Sequence, residues 1–274
     1  MDKKVIIFTD LDGTLLDSGY SYKKAAPALN LIMKKRIPLI LCSSKTKSEI
    51  VFWRKKLRNI HPFISENGGG IFIPRKYFKG GGQVSGVSGQ VEGDYYLIKL
   101  GADYAGLRKV LSELRSEGFN VNGFGDMSIK QIADLTGLKN ADAKRAIQRD
   151  FDEPFLFKGN DKQIPKLKRR IRAKGFNYTQ GEFFHIMGDS DKGRAVEILK
   201  KLYSGEFSKI VTVALGDSLN DLEMLRAVDY PVVVQKKDGS YDKSFSSRKL
   251  IRADGIGPDG WNRAVTDLLE TLIF

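Results

Sequence analysis

Two aspartates two residues apart, Asp10 and Asp12, close an apolar run that begins at Val5 (V-I-I-F-T-D-L-D-G-T). On a strand such residues point to the same face, so two carboxylates would meet at the edge of a core. They would repel each other and lose hydration, and a bound cation would offset both costs. A second buried-looking run, K-I-V-T-V-A-L-G (209–216), also ends in acid, at Asp217 and then Asp221. In open parallel sheets, ligands bind beyond the carboxyl ends of the strands, where the strand order reverses. Acids converging there make a hard-oxygen site. With no Cys or His cluster among them, Mg²⁺ is the metal that such donors suit. The other reading of the same acids is a structural salt-bridge cluster with Lys192.

The elements that must position these residues are legible in outline. Residues 5–9 and 37–42 read as buried strands, 22–36 and 47–57 as helices, with Pro27 in the first turn of the former. Residues 63–64 and 71–73 flank the run E-N-G-G-G (66–70), a hairpin-like turn. This strand–helix alternation predicts an α/β fold with a doubly wound, mostly parallel sheet. A Gly/Ser-rich stretch (79–94) then breaks the pattern and reads as a linker or exposed hairpin. Strands at 95–100, 119–121, 155–157, 176–179 and 183–187 follow. They are interleaved with helices at 105–117, 128–136, 141–149 (Asn140 as its N-cap) and 164–173. We read residues 85–186 as an α+β unit inserted into a core formed by 1–84 and 187–274. The α/β pattern returns with a helix at 193–203, the strand 209–216, a short helix at 222–227, an edge or terminal strand at 231–234 and a closing helix at 261–273.

The chain has 274 residues, of which 41% are hydrophobic and 29% charged, enough for a large core and a smaller unit. No apolar run reaches the length of a membrane span, and the N-terminus (M-D-K-K-V-I-I-F) shows no cleavable leader. A single cysteine, Cys42, excludes an internal disulfide and fits a cytoplasmic protein. The net charge of +13 suits either a nucleic-acid binder or an enzyme that attracts an anionic substrate. Residues 85–186 hold 17 basic and 13 acidic side chains, so the excess is not gathered in one module, and no nucleic-acid-binding motif accompanies it. The densest run, K-L-K-R-R-I-R-A-K (166–174), reads as a solvated helix face.

Taken together, D-L-D-G-T (10–14), Ser43 after a buried strand, Lys192 in D-K-G, and G-D-S-L-N-D (216–221) occur in the order of the four motifs of the haloacid dehalogenase (HAD) superfamily. The resemblance covers nearly the whole chain. It implies a Rossmann-like core and a catalytic set of Asp10, Asp12, Ser43 and Lys192. Asp10 would be the nucleophile that forms an aspartyl-phosphate. Asp12 would protonate the leaving alcohol and then deprotonate the hydrolytic water. Mg²⁺ would be held by Asp10, the main-chain carbonyl of Asp12 and Asp217, with Asp221 as a further ligand or a support behind them. Ser43, in preference to Ser44, would bind a phosphoryl oxygen, and Lys192 would neutralise the phosphorylated aspartate. The place of the insert matches the superfamily's C2 caps, which cover the site and favour small-molecule substrates.

The segments S-S-K-T-K-S-E-I (43–50), I-S-E-N-G-G-G-I-F-I-P (64–74), R-D-F-D-E-P-F (149–155) and G-D-S-L-N-D-L-E-M-L (216–225) further resemble the mannosyl-3-phosphoglycerate phosphatase family. Glu223 departs from the proline common there, at a helix start. That resemblance implies a small anionic phosphorylated sugar acid as substrate, with no nucleic acid or membrane partner. Lys45, Asn67, Gly68, Gly69, Arg149, Glu153 and His185 are candidate substrate contacts. The glycines have a tight turn as their other reading, and Arg149, Glu153 and His185 a structural role. Neighbouring sugar phosphatases acting on glucosyl-3-phosphoglycerate, sucrose phosphate or a hexose phosphate remain open readings, as do a phosphomutase and a non-enzymatic nucleic-acid binder.

Overall fold

In the computed structural model, which describes residues 3–79, 88–181, 183–245 and 249–273, the apolar run at the N-terminus is the central strand β1 (Lys3–Thr9), buried from Val5 onward. The chain continues through α1 (Ala26–Lys34), β2 (Leu39–Cys42), α2 (Lys47–Lys56), β3 (Phe63–Ser65), β4 (Gly70–Pro74), β5 (Gly89–Glu92) and β6 (Tyr95–Lys99). Next come α3 (Tyr104–Ser116), β7 (Val121–Gly123), α4 (Ile129–Thr136), α5 (Asn140–Ala146), β8 (Asp152–Phe157), α6 (Ile164–Ala173), β9 (Asn177–Gln180) and β10 (Phe184–Met187). The last section is α7 (Lys192–Glu206), β11 (Lys209–Gly216), α8 (Leu222–Arg226), β12 (Tyr230–Gln235), β13 (Ile251–Ile256) and α9 (Pro258–Ile273).

Among the described residues, nine strands form one sheet in the order β13-β12-β11-β1-β2-β3-β4-β6-β5. From β13 to β3 the pairing is parallel; β4, β6 and β5 add antiparallel strands at one side. Side-chain alternation builds two cores. Val5, Ile7, Leu39 and Leu41 face α1, α2 and α9, whereas Ile6, Phe8, Ile40 and Cys42 face α7 and α8. Because β1 pairs with β2 on one side and β11 on the other, the strand order reverses at its carboxyl end. The two acidic motifs therefore emerge side by side.

A second, antiparallel sheet of order β7-β8-β10-β9 packs against α3 and α6 around Leu111, Phe155, Leu167 and Ile186. The expected division at residues 84 and 85 lies outside the described residues. The expectation that 85–186 stands apart is corrected by β5 and β6, which extend the large sheet. Leu97 and Ile98 are fully buried there, so the Gly/Ser run precedes a return onto β4, not a departure from the sheet. Two further expectations shift. Pro231 to Val234 lie inside the sheet, because β13 pairs beyond them; Arg252 and Asp254 in that strand hide its apolar period. Asn140 begins α5 and does not cap it; Lys139 occupies the cap with no side-chain bond. Among the described residues, no helix is long and apolar enough to cross a membrane.

Candidate active site

The end of β1 is held from behind. Trp261, fully buried on α9, donates its indole N–H to Thr9 Oγ1 (2.9 Å), and that hydroxyl donates to the Asp10 carbonyl (2.8 Å). Asp10 is left almost fully buried at the strand terminus. Gly13 then turns with φ +74°, and a Cβ there would lie 2.7 Å from Asp217 Oδ2, so only glycine lets the two loops meet. Thr14 Oγ1 donates to Asp217 Oδ1 across 3.2 Å.

Lys192 is the first residue of α7, whose N-cap, Asp191, accepts the Arg194 N–H. Its ammonium lies 2.7 Å from Asp10 Oδ1 and 2.6 Å from Asp221 Oδ1, with no solvent exposure of the side chain. The other Asp221 oxygen accepts the N–H groups of Asp217 (3.0 Å) and Ser218 (3.2 Å). Asp221 thus ties the β11 loop to Lys192, and its oxygens are already committed.

Carboxylate oxygens of Asp10, Asp217 and Asp221 lie within 4.8 Å of one another. Burial, reinforced by the neighbouring acids and opposed by Lys192, pushes the Asp10 carboxyl well above its usual range. Burial and Asp221 push Asp217 up to about 7. Burial alone would depress the Lys192 ammonium, but Asp10 and Asp221 outweigh it and raise its pKa. Three carboxylates thus face one ammonium in a desolvated pocket. A divalent cation with a preference for oxygen donors would balance the surplus, so this set fits Mg²⁺. Asp12 stands outside the cluster: its half-exposed carboxylate pairs with Lys45 Nζ at 2.9 Å.

Beyond Asp10 and Asp12 opens a cavity of about 240 Å³, walled on the core side by Tyr20, Ser44, Lys45 and Asn67 and on the inserted side by Phe124, Leu138, Arg149, Phe183 and His185. The candidate residues divide around it. Lys45, Asn67, Arg149 and His185 are on the wall. Ser43 is fully buried beneath it, with Oγ accepting the Lys45 N–H (3.3 Å), whereas Ser44 lines the space. Gly68 and Gly69 are not on the wall. Gly68 has φ +92° and a Cβ there would sit 2.1 Å from the Asp191 carbonyl oxygen; one on Gly69 would sit 2.3 Å from Phe151 Cβ. Their tight-turn and packing reading accounts for them.

Glu153 is also turned away. Its carboxylate accepts Tyr104 OH (2.8 Å), Arg108 Nη1 (2.7 Å) and the Gly125 N–H (2.8 Å) inside the insert, which spends its acceptors on structure. Arg149 donates to the carbonyls of Ala146 and Ser44 and to Asp152. His185 Nδ1 lies 3.0 Å from Asp152 Oδ2. Although burial opposes it, Arg149 and His185 hold the Asp152 carboxyl below the usual range, so Nδ1 carries the proton and donates.

Sequence reasoning missed Glu66, whose carboxylate accepts three backbone N–H groups of the insert, and Asn220, whose amide donates to Asn67 Oδ1 (3.1 Å). Both sit inside the motifs E-N-G-G-G and G-D-S-L-N-D, where glycines and aspartates are the more conspicuous residues.

A family model described as haloacid dehalogenase-like hydrolase matches residues 7–80 and 105–241. The chain is 47% identical over 269 residues to a glucosyl-3-phosphoglycerate/mannosyl-3-phosphoglycerate phosphatase of Methanococcoides burtonii, with 97% of each chain covered. It is 39% identical over 272 residues, 98% of each chain, to a protein of the same name from Persephonella marina. A solved structure from Thermoplasma acidophilum matches 97% of this chain and 98% of its own with a TM-score of 0.68; at 19% identity this likeness bears on the fold alone. This chain belongs to the haloacid dehalogenase-like hydrolase family.

Proposed function

We propose that the protein is a Mg²⁺-dependent phosphomonoester hydrolase that works through an aspartyl-phosphate and converts mannosyl-3-phosphoglycerate to mannosylglycerate and phosphate, in the cytoplasm. The observation that carries the chemistry is the set of buried Asp10, Lys192 and Asp221 with the partly buried Asp217, beside the half-exposed Asp12. The names of the relatives at 47% and 39% identity support the substrate. Because those names include the glucosyl ester, glucosyl-3-phosphoglycerate is the second substrate we assign.

In this reading an Asp10 carboxylate oxygen attacks phosphorus in line, the O–P bond forms, and the bond to the glycerate oxygen breaks. Asp12 gives its proton to that leaving oxygen. It then takes a proton from the water that attacks the phosphorylated Asp10, which releases inorganic phosphate and restores the carboxylate. Mg²⁺, held by Asp10, Asp217 and the Asp12 main chain, would supply Lewis-acid screening of the phosphoryl charge. Lys192 neutralises Asp10 as it is phosphorylated, and Asp221 holds Lys192 in place. Lys45 meets the anionic substrate, while Ser43 binds a phosphoryl oxygen. The inserted unit, from α3 to β10, caps the cavity and reads the leaving group through residues such as His185.

The test is phosphate release from mannosyl-3-phosphoglycerate, glucosyl-3-phosphoglycerate, sucrose phosphate, mannose 6-phosphate and 3-phosphoglycerate, with Mg²⁺ and with EDTA. Preference for the glycosyl phosphoglycerates, abolished by EDTA, is the expected result. Metal-dependent turnover of another ester would keep the chemistry and overturn the substrate.

A further inference from the structure

The insert leaves the core at residues 100–103 and returns at 188–191, and these two linkers run side by side: a Cβ on Gly188 would lie 2.5 Å from the Ala102 nitrogen. Two adjacent strands of chain make a hinge, and a unit attached only there could swing. A third attachment lies beside them, through a separate segment of the insert, and the core loop that makes it touches both linkers: Leu100 and Gly101 donate to the Gly69 carbonyl, and Gly68 packs on Asp191. Glu66, fully buried in the core loop after β3, turns its carboxylate onto the start of β8. There Oε2 accepts the N–H groups of Asp150 (3.0 Å), Phe151 (2.7 Å) and Asp152 (2.9 Å). The backbone around it is left-handed at Glu66 (φ 49°), Asn67 (φ 54°) and Gly68 (φ 92°), a conformation that costs energy at the first two positions.

Side chains reinforce the grip. Phe151 belongs to the core's own hydrophobic cluster, with Phe63 and Phe72, although it is part of the inserted chain. It fits there because Gly69, Gly70 and Gly101 carry no Cβ; one on any of them would come within 2.8 Å of its side chain. On one flank Arg149 donates to the Ser44 carbonyl, and on the other Asn67 Nδ2 reaches Asp152 Oδ2 at 3.2 Å. The same Asp152 carboxylate orients His185 on the cavity wall. One core carboxylate therefore fixes the backbone next to Arg149 and beneath His185, which Asp152 orients, and both of those side chains are on the cavity wall, whereas Glu66 is not.

We propose that Glu66 is a positioning residue: by holding the backbone of residues 150–152 it pins the insert to the core at a third point and sets Arg149 and, through Asp152, His185 over the leaving group. The proposal rests on the phosphatase reading above. It follows that the β8–β10 edge of the insert stays with the core when the cavity opens, and that losing the pin harms large, cap-contacting substrates more than small ones.

The experiment compares wild type, Glu66→Ala and Glu66→Gln on mannosyl-3-phosphoglycerate and on p-nitrophenyl phosphate, whose leaving group asks little of the insert. Amide hydrogen exchange is followed at residues 150–152 in the same proteins. For Glu66→Ala we expect faster exchange there and a fall of about tenfold or more in kcat/KM for the glycosyl ester, mostly in KM. With p-nitrophenyl phosphate the change should stay within about threefold. Glu66→Gln keeps an acceptor oxygen, should lose less, and carries the comparison if the alanine variant does not fold. Equal losses on both substrates, unchanged kinetics on both, or unchanged exchange at 150–152 would overturn the proposal. If wild type hydrolyses p-nitrophenyl phosphate but neither glycosyl phosphoglycerate, the substrate reading fails alone. The preferred sugar phosphate of the panel then replaces the glycosyl ester, with the same expected and overturning results.

Discussion

The Lys45 ammonium lies 2.9 Å from the Asp12 carboxylate, in a side chain that is itself buried and also within 3.5 Å of Glu49. Asp12 and Glu49 together outweigh the effect of burial and raise the Lys45 pKa, so the lysine remains charged on the cavity wall. An entering anion can draw it away from Asp12, which couples substrate binding to the release of the proposed acid–base residue.

Removing that charge should therefore act on binding first. Lys45→Met is expected to raise KM for the phosphoglycerate ester by about 10- to 100-fold, the value of one charge-assisted hydrogen bond, with a smaller change in kcat. Steady-state kinetics at saturating Mg²⁺ measure it. An unchanged KM with a large loss in kcat would place Lys45 in the chemical step instead.

The phosphoryl contact can be settled between neighbours. Ser43 follows β2, the strand that pairs with β1, but is buried under Lys45, while Ser44 is on the cavity wall. If Ser43 binds the phosphoryl oxygen, Ser43→Ala loses about 10-fold or more in kcat/KM and Ser44→Ala stays within a few-fold. The opposite order would transfer the role to Ser44.

Glu66 also makes a prediction in pH. Burial first, and then the Asp152 carboxylate, push its carboxyl up to about 8 from an ordinary value of 4.5, against the pull of Arg149 and the N–H groups of Phe151 and Asp152. Between those values the folded protein keeps a proton that the unfolded chain has released, so this contribution is complete below the lower value and is lost as pH rises through the upper one. Gln at 66 does not titrate. The stability of Glu66→Gln relative to wild type should therefore grow with pH across this window, by up to about 1.4 kcal/mol per unit. Asp217, which titrates in the same range, is common to both proteins and cancels. Urea unfolding at a series of pH values reads the difference; a difference that does not change with pH would contradict the shift.

The acidic edge of the sheet is legible because its signals are local: paired carboxylates that end an apolar strand call for a cation or a buried base to offset their repulsion and lost hydration. Asp10, Asp217, Asp221 and Lys192 were all named from sequence, and they meet in space. What escaped the sequence depends on partners far along the chain. Glu153 looked available because nothing near it in sequence shows Tyr104 and Arg108 turning toward it. Glu66 looked like part of a glycine turn because its partners, residues 150–152, lie more than 80 positions away. On sequence alone the β5–β6 hairpin falls in the insert, because a Gly/Ser run has the composition of a boundary; Leu97 and Ile98 show their place only once they pair with β4.

The most direct test of the central claim is to look for phosphate on Asp10 itself. Protein mixed with Mg²⁺ and mannosyl-3-phosphoglycerate is quenched in acid within the first turnover and its peptides are analysed by mass. The account predicts a phosphorylated peptide containing Asp10, labile to hydroxylamine and absent from Asp10→Asn, which also releases no phosphate. Full turnover by Asp10→Asn, or a phosphorylated residue elsewhere, would contradict it.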